Sequence, residues 1–566
     1  MGRPQTGCLS AIGSSGDFPG RVDPWPPAPA GAESPRLLLR TLRGAPSWTS
    51  FSRRVLLAFL LIVALSSLGV ATEASKQRVP PHLTLAQRIE ALLRRTEARR
   101  GLWGIEVVRL SDGNVLFTRN AEHLFLPASN MKLFTTAAAM ERLGPDFRFR
   151  TTVEAEAAPD SSGRVGDLFL VGRGDANLGN RVLPGQSRSG PQEPADAVLQ
   201  TLADQVAARG VREVAGRLVA DDSYFLFEPY SHGWDQEDLQ WGYGAPVTAL
   251  AFNDNALLLR IRPGAAPAAA AEVGLEPFPD YYELNNRLET SAAGTRKRIF
   301  VERAPGSRRL DVWGVIPVDA GEAQDSVSID NPPQLIAELF RRALEARGIT
   351  VRGRVEVRHL TRLEAATTPD ASPNPPRVVL AEHVSPPLAE DIQTINKFSQ
   401  NLHVEMLLRT LGRGVKQYGS LTAGLEVLKE FAARVGIEPG EAKFADGSGL
   451  SRHALVSPRA VIKLLKYMAT SPRFETYLDS LPVAGVDGTL AERFTGSPGH
   501  GRIRAKTGTM EHVNALAGYM ELSSGERLAF SIIGNAYLLK PAEGAAVVDR
   551  IALAILQQFS GRQKRK

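Results

Sequence analysis

Cysteine is almost absent from this 566-residue chain, with Cys8 the single example. One thiol, set in an N-terminal stretch rich in Pro, Gly, Ser and Arg, rules out a disulfide framework, a cysteine zinc site and a cysteine nucleophile in the folded part. Aromatic residues are scarce at 7%, and the densest basic runs, RRTEARR at 94–100 and GRQKRK at 561–566, contain none. A net charge of +6 spread in this way, without interleaved stacking rings, argues against nucleic-acid binding and suits at most an anionic partner. Long apolar runs are lacking too, with one exception, VLLAFLLIVALSSLGVA at 55–71. It follows Arg53-Arg54 and ends in small residues, the pattern of a signal peptide; left uncleaved it would be a membrane anchor. Residues 1–52 read as disorder or as a start assigned too early, and 53–75 as the export segment. The expected location is therefore outside the cytoplasm, in the periplasm or cell envelope. Histidines 403, 453 and 512 have no paired ligand spacing, so neither a metal nor another cofactor is expected.

What is present is ordinary soluble composition, 43% apolar and 23% charged, in a chain long enough for two to four domains. From Leu83 an amphipathic helix leads into a hairpin, WGIEVVRLSDGNVLFTRN, and then into a second helix, SNMKLFTTAAAMERLG. Some 200 residues of strand-like pieces follow, closing on a helix at 331–348. The proline-rich TTPDASPNPP at 367–376 marks a boundary. Helices dominate after it, and the chain ends in alternating runs around an SSG turn and a last helix. This order gives an α+β fold with one domain built from both ends, 82–150 and 378–562, and a mainly β insertion at 151–377.

The second helix opens on Ser129 with Lys132 one turn on. A hydroxyl needs a base within hydrogen-bond reach to act as a nucleophile, and residues three apart share a helix face. Ser-x-x-Lys is common by chance, and Ser129 would equally serve as an N-cap beside a solvated lysine. Two further strings change that balance. Ser399-Gln400-Asn401 closes an apolar-periodic helix, although Ser372-Pro373-Asn374 matches the same pattern. Lys506-Thr507-Gly508-Thr509 holds the chain's only Lys-Thr-Gly, on a strand before a hairpin. Its lysine would face a cleft and depress the pKa of Lys132, and Gly508 would let a substrate lie close.

The three strings in this order resemble the serine β-lactamases and penicillin-binding proteins. The long interval between Ser129 and Ser399 narrows the likeness to the D-alanyl-D-alanine carboxypeptidase/endopeptidase group of low-molecular-mass penicillin-binding proteins. LVGRGDANL, VADDSYF, APVTALAFNDN and ADGSGLSR are similar to that group as well. The resemblance implies a penicillin-binding/β-lactamase-like transpeptidase domain, an antiparallel sheet with helices. It also implies a peptidase acting on peptidoglycan peptides and acylated by β-lactam antibiotics. Ser129 would attack, Lys132 accept its proton, Ser399 and Lys506 return one to the leaving amine, and Asn401 orient the peptide. Thr507 and Thr509 would hold the terminal carboxylate. In this group an acid from the insertion meets the substrate side-chain amine; Asp221, with Asp222 beside it, is the candidate. Gln400 departs from the group's usual Asp, which bears on helix packing more than on chemistry. Asp446-Gly447-Ser448-Gly449 reads as a tight loop without chemistry. The rival readings are a β-lactamase, which lacks a Glu-x-x-Leu-Asn segment between Asn401 and Lys506, and a non-catalytic penicillin-binding or cell-wall sensor.

Overall fold

The computed structural model describes residues 83–94, 97–179, 193–367, 376–415 and 418–560. Cys8, the apolar run at 55–71 and most of the proline-rich stretch lie outside the described residues. Among those described, no helix is long and apolar enough to cross a membrane.

Both ends of the chain meet in one five-stranded antiparallel sheet. Its order is Ile503–Met510, Val513–Glu521, Arg527–Asn535, Leu102–Arg109 and Val115–Arg119. The central strands are buried on both faces, which is why ALAGYM and LAFSIIG read as nearly continuous apolar runs rather than clean alternation. One face packs under the helices Leu85–Arg94 and Pro541–Ser560, around Trp103, Ile105, Ile532 and Ile551. The other face carries the helices that hold the motifs, around Phe134, Leu407, Phe431, Leu465 and Tyr477. Gly534 is required here, because a Cβ at that position would sit 2.6 Å from the Trp103 ring.

A separate core gathers residues between Val153 and Ala381. Its main sheet runs Val355–Leu360, Leu218–Leu226, Leu168–Val171, Arg150–Ala155 and Val378–Val384, the first three parallel and the rest antiparallel. Three three-stranded sheets accompany it: Glu283–Ser291/Arg309–Pro317/Arg298–Glu302, Ala323–Ser328/Ala256–Arg262/Glu272–Glu276 and the short Thr350–Val351/Glu213–Val214/Arg164–Val165. The α+β class is thus observed, with two additions to the sequence reading. A helix, Ala197–Ala208, stands where only strand-like pieces were expected, its Leu199, Leu202, Ala203 and Val206 turned to the core. The strand Val378–Val384, assigned above to the catalytic part, pairs with Arg150–Ala155, because its Leu380 and Ala381 belong to this second core.

Candidate active site

Ser129 sits in a single 3-10 turn, Ala128–Met131, that runs directly into the helix Lys132–Leu143. The turn is clamped from two sides. Gly508 passes so close that a Cβ there would lie 2.7 Å from the Pro127 carbonyl, and one on Gly449 would lie 1.9 Å from the Ala128 carbonyl. Gly508 therefore admits the nucleophile turn against its strand, a tighter demand than admitting substrate. Gly449, at φ 79°, brings the Asp446–Gly449 loop against the same turn.

The second motif closes one helix, as expected, and a break of two residues separates that helix from the next. Ser399 ends Leu388–Phe398 in the left-handed region at φ 61°, and Asn401 opens Asn401–Arg413. The break lets both side chains turn to one crevice. Lys506 donates to Ser399 Oγ at 2.9 Å and to the Thr507 carbonyl at 3.0 Å. Lys132 Nζ is 2.9 Å from Ser129 Oγ, 2.6 Å from Asn401 Oδ1 and 2.9 Å from the Ser448 carbonyl. The three distant motifs thus converge. Thr507 bonds Thr489 at 2.8 Å, and Thr509, held at 3.3 Å by Asn514, stays exposed.

Both lysines are fully buried. Burial lowers the Lys132 pKa to about 7, against the opposing pull of Asp446 and Glu405. Burial, and then the charge of Lys132, hold Lys506 well below the ordinary lysine range. A neutral Lys132 keeps two N–H bonds, and carbonyl-type oxygens on Asn401 and Ser448 can only accept. Its lone pair is then left facing the Ser129 hydroxyl. That is the geometry of a general base.

Three groups behind the lysine escaped the sequence reading. Glu405 accepts the backbone N–H groups of Gly447 and Ser448, each at 2.9 Å, so it fixes the loop whose carbonyl holds Lys132. It is itself paired to buried Arg409 at 3.1 Å, a Glu and Arg four apart on an apolar-periodic helix. That spacing inside a buried face was the available signal. Asp446 accepts from Trp234, Ser448, Gly449 and Ser451, and burial followed by Glu405 raises its pKa to about 6. The tight loop at 446–449 is therefore part of the site.

Asp221 and Asp222 are not. Both are buried in the strand Leu218–Leu226 and engaged structurally. Asp221 takes Ser223 Oγ at 2.5 Å and pairs with Arg377 at 3.1 Å. Asp222 accepts the backbone N–H groups of Ala249 and Leu250 and meets His359 Nδ1 at 2.9 Å. In a strand buried on both faces, adjacent acids point opposite ways and neither reaches solvent. Half-buried Asp238 is linked to the crevice through Tyr243, from whose hydroxyl it accepts at 3.0 Å. The Tyr243 carbonyl in turn accepts from Asn401 Nδ2 at 2.8 Å.

His453 and His512 are exposed, and among the described residues no cluster of His, Cys, Asp and Glu is arranged to hold a metal. His403 is buried instead between Asp391 at 2.6 Å and Asp254 at 2.9 Å. Burial works against its charge, but the two carboxylates outweigh it and raise the pKa to about 10. Asp254 also accepts from Gln400 at 2.8 Å, which gives the unusual middle residue of the second motif a fixed partner. His403→Gln strands two buried carboxylates, and a loss of roughly 3–5 kcal/mol is expected. Because the folded pKa lies above the unfolded value of 6.5, this contribution is complete below pH 6.5 and fades as pH rises toward 10. Thermal melts of variant and parent should differ most at pH 6 and converge by pH 10; a constant gap would contradict the charged pair.

Comparison with known proteins identifies the family and the fold. The family described as D-Ala-D-Ala carboxypeptidase 3 (S13) matches residues 85–557. A D-alanyl-D-alanine carboxypeptidase of Actinomadura sp. (strain R39) is 38% identical over 490 residues, 85% of each chain. The D-alanyl-D-alanine carboxypeptidase DacB of Haemophilus influenzae is 25% identical over 442 residues, 77% of this chain and 85% of that protein. The crystal structure of penicillin binding protein 4 from Haemophilus influenzae shares the fold at TM-score 0.70 and 23% identity, covering 83% of this chain and 99% of that one.

Proposed function

The chain belongs to the D-Ala-D-Ala carboxypeptidase 3 (S13) family and is a serine DD-peptidase, and from that premise we propose how its side chains divide the work. Neutral Lys132 takes the Ser129 proton as Oγ bonds to the carbonyl carbon of the penultimate D-alanine. The backbone N–H groups of Ser129 and Thr509 receive the oxyanion. Lys506, through Ser399, returns a proton to the leaving amine as the C–N bond breaks. The proton on Lys132 then passes to Lys506 through the crevice hydroxyls, leaving Lys132 neutral again. Water attacks the ester and gives its proton to Lys132, which returns it to Ser129 Oγ as the acyl C–O bond breaks and the free acid leaves. Asn401 orients the peptide, while Thr507, Thr509 and the charge of Lys506 take the terminal carboxylate. The observation that carries this reading is the 2.9 Å approach of Lys132 Nζ to Ser129 Oγ, with its other two hydrogen bonds already engaged.

In place of Asp221 and Asp222, Asp238 fits the acid that meets a substrate side-chain amine; its link through Tyr243 to Asn401 supports the choice. If the leaving amine is free D-alanine, the enzyme is a carboxypeptidase; if it is a cross-linking diamino acid, an endopeptidase. Separate hydrophobic cores support reading 82–150 and 378–562 as the catalytic domain and 151–377 as the insertion, with the strand Val378–Val384 passing to the insertion. The substrate places the enzyme in the cell envelope, as an exported protein. β-Lactams enter as covalent inhibitors by mimicking the acyl-D-alanine bond.

Incubation with penicillin, followed by intact mass and peptide mapping, is expected to give one long-lived adduct on the peptide containing Ser129. D-alanine should be released from a D-Ala-D-Ala muropeptide. Rapid turnover of penicillin would instead make the protein a β-lactamase, and an adduct without peptide hydrolysis would make it a sensor.

A further inference from the structure

We propose that the insertion carries a second subsite, a groove that holds a neighbouring segment of the sugar–peptide polymer whose stem peptide occupies the crevice. The inference rests on the peptidoglycan reading above and extends it to the polymer.

The groove lies between the strands Arg298–Glu302 and Ala323–Ser328 and encloses about 610 Å³. Its floor is apolar, formed by Leu259, Ile261 and Trp241. Its rim is three consecutive exposed cations, Arg296, Lys297 and Arg298, and among the described residues none of them makes an ion pair. This is unusual here: most arginines of the insertion are matched to carboxylates, as Arg217, Arg260, Arg309 and Arg347 are. Unmatched charge of one sign on a concave wall focuses attraction on anions. Asp325, on the facing strand, leaves a place for an ammonium on the same ligand.

The lining continues through Phe300 onto an open aromatic platform. Phe300 and Trp313 stack at 5.5 Å and 19°, though 50% and 38% exposed. Arg287 lies in the same cross-strand row, opposite Trp313. Rings left exposed and stacked in this way offer a flat apolar surface about two strand spacings, or roughly 10 Å, across. That area matches the C–H faces of two pyranose rings. Peptidoglycan supplies all three chemistries: sugar faces, free carboxylates, and an amine on the diamino acid of its stem.

Position ties the groove to the crevice. Trp241 forms part of its floor, and two residues further the Tyr243 carbonyl accepts from Asn401. A chain leaving the crevice past Tyr243 meets the groove next.

The test uses the full chain and three substrates: insoluble peptidoglycan, a short D-Ala-D-Ala tripeptide and penicillin. Arg296→Glu/Lys297→Glu/Arg298→Glu is expected to lower co-sedimentation with peptidoglycan, and kcat/KM on it, about tenfold or more at low salt, with the difference shrinking as salt is added. Tripeptide hydrolysis and penicillin acylation should stay within about twofold of the parent. Phe300→Ala/Trp313→Ala should also weaken sedimentation, but independently of salt. Lys429→Glu/Arg434→Glu, on the exposed face of the helix Leu421–Arg434, controls for added negative charge and should bind as the parent does. Undiminished sedimentation of the groove variants, equal loss in the control, or parallel loss of tripeptide hydrolysis would each overturn the subsite. A parent that sediments yet neither hydrolyses the tripeptide nor reacts with penicillin would overturn the catalytic assignment and leave the groove standing.

Discussion

Replacing Ser129 with alanine is expected to abolish penicillin labelling and to cut D-alanine release by on the order of 10⁴-fold or more. The size of the loss follows from what the crevice holds once Oγ is gone. Lys132 keeps Asn401 and Ser448 as partners, so its place is unchanged, but it has no proton to take and no oxygen to activate. Lys506 keeps Ser399 at 2.9 Å, the one other hydroxyl there matched to a buried lysine. What remains is binding and the oxyanion donors, which give only a residue of the rate. The fold should survive, since the substitution removes one hydrogen bond from a lysine that has two other partners. Stopped-flow acylation by a fluorescent penicillin and a D-alanine assay, with a melting curve on the same sample, measure all three points. Should acylation persist in this variant and vanish in Ser399→Ala, the nucleophile would have to be reassigned.

The three strings that converge on the crevice were legible because each is local: Ser-x-x-Lys needs only one turn of helix, and Lys-Thr-Gly needs only a strand. What could not be read is what other parts of the chain bring to them. Gln400 looked like a tolerated departure; its reason is Asp254, 146 residues away, in a turn where Asn253, Asp254 and Asn255 all have positive φ. Glu405 and Arg409 left only their spacing, four apart on an apolar-periodic helix, and that spacing does not say that the pair is buried or which loop it holds. Asp221 and Asp222 failed for the converse reason. Their candidacy came from the resemblance, which asks for an acid in this part of the chain, yet a strand covered on both faces holds them as cross-links to Arg377 and to the backbone at Ala249 and Leu250. The strand after the proline-rich segment joins the insertion's sheet, since such a segment marks where the chain leaves an element and not which core the next one enters.

Lys132→Arg is expected to slow acylation by roughly 10²–10⁴-fold, the usual contribution of a general base, although charge and much of the side-chain volume are kept. A guanidinium does not give up its proton in this range, so no lone pair forms toward Ser129. In the parent, the sign of the pH dependence follows from the same requirement. With its pKa lowered to about 7, Lys132 is mostly an ammonium below that pH, and acylation should fall about tenfold per unit there and level off above it. An ordinary lysine, still charged at pH 9, would place the limb more than three units higher. The facing groups decide where the limb falls. Burial, not the charge of Lys506, pushes the Lys132 pKa down, while Asp446 and Glu405 pull it up, and burial followed by Glu405 raises Asp446 itself to about 6. Glu405→Gln removes one of the upward pulls while retaining an oxygen for the Gly447 and Ser448 N–H groups, so the limb should move to lower pH. A merely structural role for Glu405 would lower the plateau and leave the midpoint in place. Second-order acylation rates from pH 5 to pH 9 separate the two, and a midpoint that shifts upward would contradict the assignment of Lys132 as the base held between these charges.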